Sequence, residues 1–335
     1  MDESLDQANL KQVLLDFPQQ FMEGLKLTAG TLRLHSGQAR PAAKVKHAVL
    51  LGMGGSSLPG DIVNLYLAPD FEIKINRDYD LHHKVDAETL VFACSYSGNT
   101  EEVTEALEKS LQAGGQVVII SAGGKLAEIA TEKSLPFIKL PSGLQPRCAT
   151  GYFFAAILQV LENAGLVKGK TAALNSLAQK LEAIDYQERA EELALQIKDK
   201  VPIVYTSDKY WPVARICKIK FNEHSKTQAF WNVFPELNHN EMVGFSTLVM
   251  KPFFLIYRDP ADHERNKKRM QIFSNLLKDK GSSVVTIDMQ GEDLLTKIFS
   301  TLLLGDWIAY YLALAYGIDP SPVEMVENFK ELMKD

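Results

Sequence analysis

The stretch CSYSGNTEE, Cys94 to Glu102, joins two segments of different period. LVFA before it is an apolar run with strand character, and VTEALEKSL after it carries apolar residues at helical spacing. Between them stand Ser95, Ser97, Gly98, Asn99 and Thr100. Packing does not call for a strand to enter a helix through hydroxyls and a glycine. Holding an anion does, because a helix N-terminus presents N–H groups and positive potential, and the hydroxyls add donors. The terminal oxygens of a phosphate monoester take several donors, and this turn supplies them without a metal. Glu101 and Glu102 fit the first turn of the helix, where acids are favoured.

Outward from this turn the alternation continues. HAVLL reads as a strand that feeds GMGGSS and then the helix LPGDIVNLYLA. QVVIIS is followed by the helical AGGKLAEIATEKS, and PFIKLP is a further strand. Strands alternating with helices predict a parallel sheet covered on both faces. A charged helical connector follows, and the alternation resumes with VPIVYTS, STLVMKPFFLIYRD and SSVVTID as strand regions. The expected fold class is therefore α/β, with two doubly wound parallel-sheet domains and helical N-terminal and connecting segments. The expected boundaries are a helical segment over 1–40, a first domain over 41–165, a connector over 166–198 and a second domain over 199–335.

Loops at the carboxyl ends of parallel strands gather at one edge of the sheet, so GGSS and SYSGNT are expected side by side. A dinucleotide fingerprint would need Gly52, Gly54 and then Gly or Ala at 57, where Ser57 stands. The matching strand of the second half feeds TSDKYWP, which has no glycine cluster, so one anion site per chain is expected. Arg147, in LQPRCATGYFF, either pairs with a phosphate or an enediolate oxygen or is a solvated surface arginine. FNEHSK and FPELNHNEMVGF are polar islands that bring Glu223, Glu236, Glu241, His224 and His239 as candidate acids and bases. No HxH, HxxxH or HExxH pattern surrounds them, and no metal is expected. Lys330, beside the helical face of Val326, Phe329 and Met333, reads from spacing alone as a solvated lysine.

A formal net charge of −6 disfavours broad nucleic-acid or anionic-membrane binding. Three cysteines without a CxxC spacing argue against a disulfide framework and for a reducing cytoplasm. The acidic start, MDESLDQANLKQ, lacks the apolar run of a signal peptide. Leu294 to Gly317 is long enough to span a bilayer, but Lys297, Gly305 and Asp306 interrupt it, and a buried core or subunit-interface helix is expected.

In this order GMGGSS, SYSGNTEE, QPRCATGY, NEHSK and PELNHNE resemble the bifunctional phosphoglucose/phosphomannose isomerase family, built of two sugar-isomerase (SIS) domains. The resemblance implies a phosphate pocket of Ser56, Ser95, Ser97 and Thr100 with the Gly54–Gly55 backbone. It implies Glu223 as the base acting between C1 and C2, Arg147 as the enediolate partner, and Lys330 near the ring oxygen. It implies His239 for ring opening, contributed across a homodimer interface. Hexose 6-phosphates are the implied substrates, with no cofactor. The expected site lies between the halves, with the phosphate turns on the first and Glu223 on the second. NEHSK departs from the more usual Asn-Glu-Asn-Ala-Lys at His224 and Ser225, and Ser321 is the candidate for tolerance at C2. Alternatives are a non-catalytic phosphosugar-binding SIS module, another SIS enzyme such as the isomerase half of a glucosamine phosphate synthase, and a dinucleotide-dependent enzyme.

Overall fold

The computed structural model describes residues 1–28 and 45–333. The remainder of the expected N-terminal helical segment, 29–40, lies outside the described residues. By internal contacts the chain forms two compact units, Asp16–Lys180 and Met1–Leu15 with Leu181–Asp335. The described chain opens with α1 (Leu10–Asp16) and α2 (Gln20–Thr28).

The Asp16–Lys180 unit continues through β1 (His47–Gly52), α3 (Gly54–Leu67), β2 (Ile73–Asn76), β3 (Thr89–Cys94), α4 (Glu101–Gln112), β4 (Gln116–Ser121), α5 (Gly124–Glu132), β5 (Phe137–Lys139) and α6 (Thr150–Asn163). Its five strands lie in the order β2-β1-β3-β4-β5, all parallel. The strand order reverses between β1 and β3, so the loops after these two strands diverge around a crevice at the carboxyl edge. Every residue of β3 is buried, as a strand covered on both faces requires. On one face Val49, Leu51, Val91, Ala93, Val117 and Ile119 pack with Val103, Ala106 and Leu107 of α4 and with Leu126 and Ile129 of α5. Each such side chain stabilises the fold by about 1.5–3 kcal/mol when fully buried. Elsewhere in the unit α2 packs on α6, where Gly24 is needed because a Cβ there would meet the Tyr152 carbonyl at 3.0 Å.

From the end of the first unit, α7 (Leu174–Glu182) leads into α8 (Gln187–Ile197), β6 (Val201–Ser207), α9 (Trp211–Glu223), β7 (Phe230–Phe234), α10 (Leu237–Asn240), β8 (Pro252–Arg258), α11 (Glu264–Asp279), β9 (Ser283–Asp288), α12 (Leu294–Ala315) and α13 (Glu324–Leu332). The second sheet runs β7-β6-β8-β9, again all parallel. The chain is thus an α/β protein with two parallel sheets. The long apolar α12 is buried within its unit against α8 and α9 along nearly its whole length.

Burying α12 also buries charge. His224 Nε2 and Lys220 Nζ, at the end of α9, each lie 2.9 Å from Asp306 Oδ1 on α12. Burial works against the ionised carboxyl, but the Lys220 charge and the His224 hydrogen bond outweigh it and hold Asp306 below the usual carboxylate range. Because the folded-state value is depressed, this contribution to stability is complete above about pH 4, the unfolded value, and is lost as pH falls through the folded value. Asp306→Asn should therefore cost about 3–5 kcal/mol at pH 7, by removing the carboxylate charge from beside the buried Lys220. It should also flatten the acid limb of stability against pH. Urea denaturation at neutral and acid pH checks both, and equal losses at the two pH values would contradict the assignment.

Candidate functional site

In the first unit the sheet carries its ligand-capable turns on adjacent strands. Gly52 at the end of β1 is level with Cys94 at the end of β3. The β1 turn enters α3 through Gly54, in the left-handed region at φ +46°. At Gly55 a Cβ would stand 2.6 Å from the Arg147 nitrogen and 2.7 Å from the Pro146 carbonyl carbon, so only glycine lets this turn meet the segment that carries Arg147. Ser56 Oγ accepts a hydrogen bond from the Tyr96 N–H at 2.9 Å, tying the β1 turn to the β3 turn.

Within the β3 turn, Ser95 Oγ and Thr100 Oγ1 lie 2.7 Å apart. The Gly98 N–H reaches Ser95 Oγ at 3.1 Å, and the Asn99 N–H reaches Ser97 Oγ at 3.3 Å. Ser97 is exposed and Thr100 half-buried. Thr100 begins α4 without capping it through its side chain, and Met53 likewise begins α3 uncapped. The first-turn N–H groups of two helices therefore face one edge with hydroxyls beside them, an arrangement suited to an anion.

A third turn, after β4, completes the group. The Ala122 N–H donates to the Tyr96 carbonyl at 3.0 Å, Leu126 N–H to the Gly98 carbonyl at 3.0 Å, and Lys125 N–H to Asn99 Oδ1 at 2.9 Å. Spacing alone makes AGGK the start of a helix, and its part in bracing the β3 turn depends on strand order. Tyr96 extends the bracing in the other direction. Its hydroxyl donates to the Pro141 carbonyl at 2.7 Å and accepts from the Leu144 N–H at 2.9 Å, and burial raises its phenol above the ordinary range. Arg147 follows in this segment, only 1% exposed, with Nη1 3.4 Å from Gln145 Oε1. Gln20 fixes the entry to α6 through the Cys148 carbonyl at 2.7 Å and the Gly151 N–H at 3.1 Å. Gly54, Gly55, Ser56, Ser95, Ser97, Thr100 and Arg147 thus belong to one braced edge of the first sheet.

In the second unit Glu223 is half-buried at the end of α9. Lys226 Nζ holds that end by donating to the carbonyls of Glu223, His224 and Asp319 at 2.9–3.1 Å. His224 is fully buried against Asp306 and points to a structural role. His239 is exposed on the short α10. Glu241 follows α10 and accepts hydrogen bonds from the Tyr205 hydroxyl and from Asn232 Nδ2, while Glu236 is exposed and bonds Asn240. Lys330 is exposed on α13 and ion-paired to Glu327 at 2.8 Å. Ser321 is buried, its N–H on Asp319 Oδ1. Among the described residues no group of three or more His, Cys, Asp or Glu side chains is arranged to hold a metal ion.

Residues 186–333 match the family model described as bacterial phospho-glucose isomerase C-terminal SIS domain. The chain is 36% identical over 309 residues to a bifunctional phosphoglucose/phosphomannose isomerase of Caldicellulosiruptor bescii, covering 88% of this chain and 91% of that protein. It is 35% identical over 199 residues to a D-glucosamine-6-phosphate 4-epimerase of Sulfolobus acidocaldarius, covering 58% of this chain and 63% of the epimerase. Among solved structures, the C-terminal domain of a glucosamine-fructose-6-phosphate aminotransferase from Francisella tularensis shares the fold, with a TM-score of 0.72 at 15% identity, over 96% of this chain and all of that one.

The closest approach in the braced edge gives a direct test. Gly98 has φ +75°, and a Cβ there would lie 1.8 Å from the Gly123 carbonyl oxygen. Gly98→Ala should push the β3 and β4 turns apart, in addition to the roughly 1–2 kcal/mol that a left-handed conformation costs an L-residue. Isothermal titration with inorganic phosphate should show affinity reduced at least about tenfold, a loss of 1.4 kcal/mol. Undiminished binding would exclude these turns as the anion site.

Proposed function

Because the chain belongs to the bifunctional phosphoglucose/phosphomannose isomerase family, we propose that it interconverts glucose 6-phosphate and mannose 6-phosphate with fructose 6-phosphate through a cis-enediol. One observation carries this reading beyond family membership. Two uncapped helix N-termini and the hydroxyls of Ser56, Ser95, Ser97 and Thr100 share one braced sheet edge, a set of donors suited to a phosphomonoester, and the buried Arg147 lies on the segment packed against that edge.

On this reading the phosphate supplies uniform binding energy and fixes the position of C1 and C2. The ring opens by proton transfer from O1 and to the ring oxygen, with His239 as the transfer group and Lys330 beside the ring oxygen. The Glu223 carboxylate then takes the C2 proton of the open aldose, and the C1 carbonyl oxygen becomes an enediol oxygen. Glu223 returns the proton to C1 as the carbonyl re-forms at C2 and the C2 hydroxyl proton passes to O1, giving the ketose with no net gain or loss of protons or electrons. Arg147 stabilises the negative charge that grows on the enediol oxygens, and its burial strengthens that effect. Glucose and mannose phosphates differ only at C2, and the enediol is planar there, so one base serves both. The exposure of His239 suits service to the substrate held by a second copy of the chain, and the working enzyme is accordingly a homodimer.

The relative named as a 4-epimerase favours one further reading, epimerisation of an amino-sugar phosphate, and the same experiment separates the two. Fructose 6-phosphate, and separately glucosamine 6-phosphate, are supplied to the enzyme and the products are resolved by chromatography. Glucose and mannose 6-phosphates should form from the first and no 4-epimer from the second. Glu223→Gln should lower turnover by about 10²–10⁴-fold, the usual worth of a positioned general base, while inorganic phosphate still inhibits. Full activity in Glu223→Gln, or a 4-epimer as the main product, would refute the proposal.

A further inference from the structure

Sequence patterns give no prominence to Arg77, which follows the edge strand β2. Leu51 pairs with Asn76, so one residue further on Arg77 comes level with Gly52, in the row of the sheet where the β1 turn begins. Its Nε–H donates to Ser57 Oγ at 3.0 Å, and its Nη2 donates to Asp61 Oδ2 at 2.6 Å. Ser57 and Asp61 are four residues apart on α3 and share one face of its first two turns. Ser57 Oγ in turn donates to the Gly54 carbonyl at 3.1 Å. A three-part chain therefore runs from the guanidinium through Ser57 to the peptide group that opens the turn.

The peptide bond makes that contact consequential. Its C=O and N–H point in opposite directions in one plane, so drawing the Gly54 carbonyl toward Ser57 turns the Gly55 N–H the other way, outward from the start of α3. Gly54 needs such a restraint because a glycine near φ +46° has few steric limits of its own. Arg77 is not needed to fasten α3 to β2. Asn64 already does so, with Nδ2 on the Ile73 carbonyl at 2.8 Å and Oδ1 on the Ile73 N–H at 2.7 Å. Only two of the three guanidinium nitrogens have partners among the described residues, and the side chain remains 30% exposed. Asp61 is buried, so it answers the cation from the helix side.

We propose that Arg77 is a positioning residue of the phosphate site, holding the GGSS turn in its anion-binding form through Ser57 and Gly54. This rests on the reading of that turn as a phosphate pocket. Its effect is on uniform binding of the phosphomonoester, so it appears in KM and not in kcat.

The test uses Arg77→Met, Arg77→Lys and Ser57→Ala in the full chain, with kcat and KM for fructose 6-phosphate, the inhibition constant of inorganic phosphate, and the melting temperature. Arg77→Met and Ser57→Ala should each raise KM and the phosphate inhibition constant by about five- to tenfold, as expected for one lost hydrogen bond, with kcat within about twofold. Arg77→Lys keeps the charge but cannot hold Ser57 and Asp61 together, so it should fall between wild type and Arg77→Met. Unchanged KM and phosphate inhibition in either folded variant would overturn the inference, as would a fall in kcat at constant KM. If Arg77→Met melts too low to assay, Ser57→Ala decides alone, since it removes the relay and little else. Ser95→Ala with Thr100→Val tests the underlying pocket. Phosphate inhibition unaffected by that pair would refute the pocket itself, whatever Arg77 does.

Discussion

Three strand-to-helix turns at the carboxyl edge of the first sheet, and the segment that carries Arg147, make contacts closer than side chains permit. Gly55 lies against the backbone of Pro146 and Arg147, Gly98 against the Gly123 carbonyl, and Gly124 against the Ser97 carbonyl, where a Cβ would stand at 2.4 Å. The closeness lets each turn support the next by hydrogen bonds, Tyr96 N–H to Ser56 Oγ and Lys125 N–H to Asn99 Oδ1. A dianion held by neutral donors needs that preorganisation, because no single contact is strong and each loses value if its donor must be ordered at binding. The glycines are therefore required by geometry, and on the proposed function the hydroxyls serve the phosphate.

The second sheet repeats the topology without that constraint, and its corresponding edge is filled differently. The strand β8 holds the place in its sheet that β3 holds in the first. Where β3 leads to Ser95, β8 leads to Asp259, which is buried. Its carboxylate accepts from Lys297 Nζ at 2.7 Å, from the Tyr210 hydroxyl at 2.7 Å and from the Ala261 N–H at 2.9 Å. Burial opposes its ionisation, but Lys297 and Tyr210 prevail and keep Asp259 low. An internal carboxylate thus satisfies the donors here, where on the proposed function a phosphate does so at the first sheet. The asymmetry visible between GMGGSS and TSDKYWP has a chemical counterpart one strand away.

Much of this architecture is legible in the sequence because a doubly buried strand leaves a run of apolar residues. The cores of β1, β3, β4, β6 and β8 stand out in that way, and the α/β class follows from their alternation with helices; the edge strand β9 shows through its β-branched SVVTI run although only Val284 in it is buried. The strand expected over 246–259 is shorter in the structure, Pro252–Arg258, because pairing with β6 begins only at Pro252 and residues 247–251 run as bends outside the ladder. The edge strands β2 and β7 are not legible. IKIN has four residues and only two of them buried, and FWNVF is half-exposed, so neither shows the apolar run that reveals a central strand. Arg77 and the AGGK turn are hidden for the same reason. Their importance comes from strand order, which places β2 beside β1 and β4 beside β3, and local sequence does not record neighbours. The boundary of the first unit is also nonlocal: α7 runs across residue 180 with no break in helical pattern.

The second unit holds its two candidate proton-transfer groups in contrasting ways. Glu223 closes a helix whose end is fastened on both sides, by the buried His224 and Lys220 on Asp306 and by the Lys226 clasp on three carbonyls. Such anchoring suits a base that must meet a particular carbon, where about 1 Å of misplacement costs roughly a hundredfold in rate. His239 sits on a four-residue helix, exposed, with its backbone steadied from behind by Glu241 through Tyr205 and Asn232. Proton transfer between oxygens tolerates more freedom than proton abstraction from carbon, since oxygen acids exchange protons readily once a hydrogen bond forms. On the proposed mechanism the rigid position carries the carbon chemistry and the freer one carries ring opening. The burial of a polar group of Asp306, Lys220 and His224 immediately behind Glu223, in a helix that hydrophobic residues could pack as well, then has a reason in the geometry the base requires.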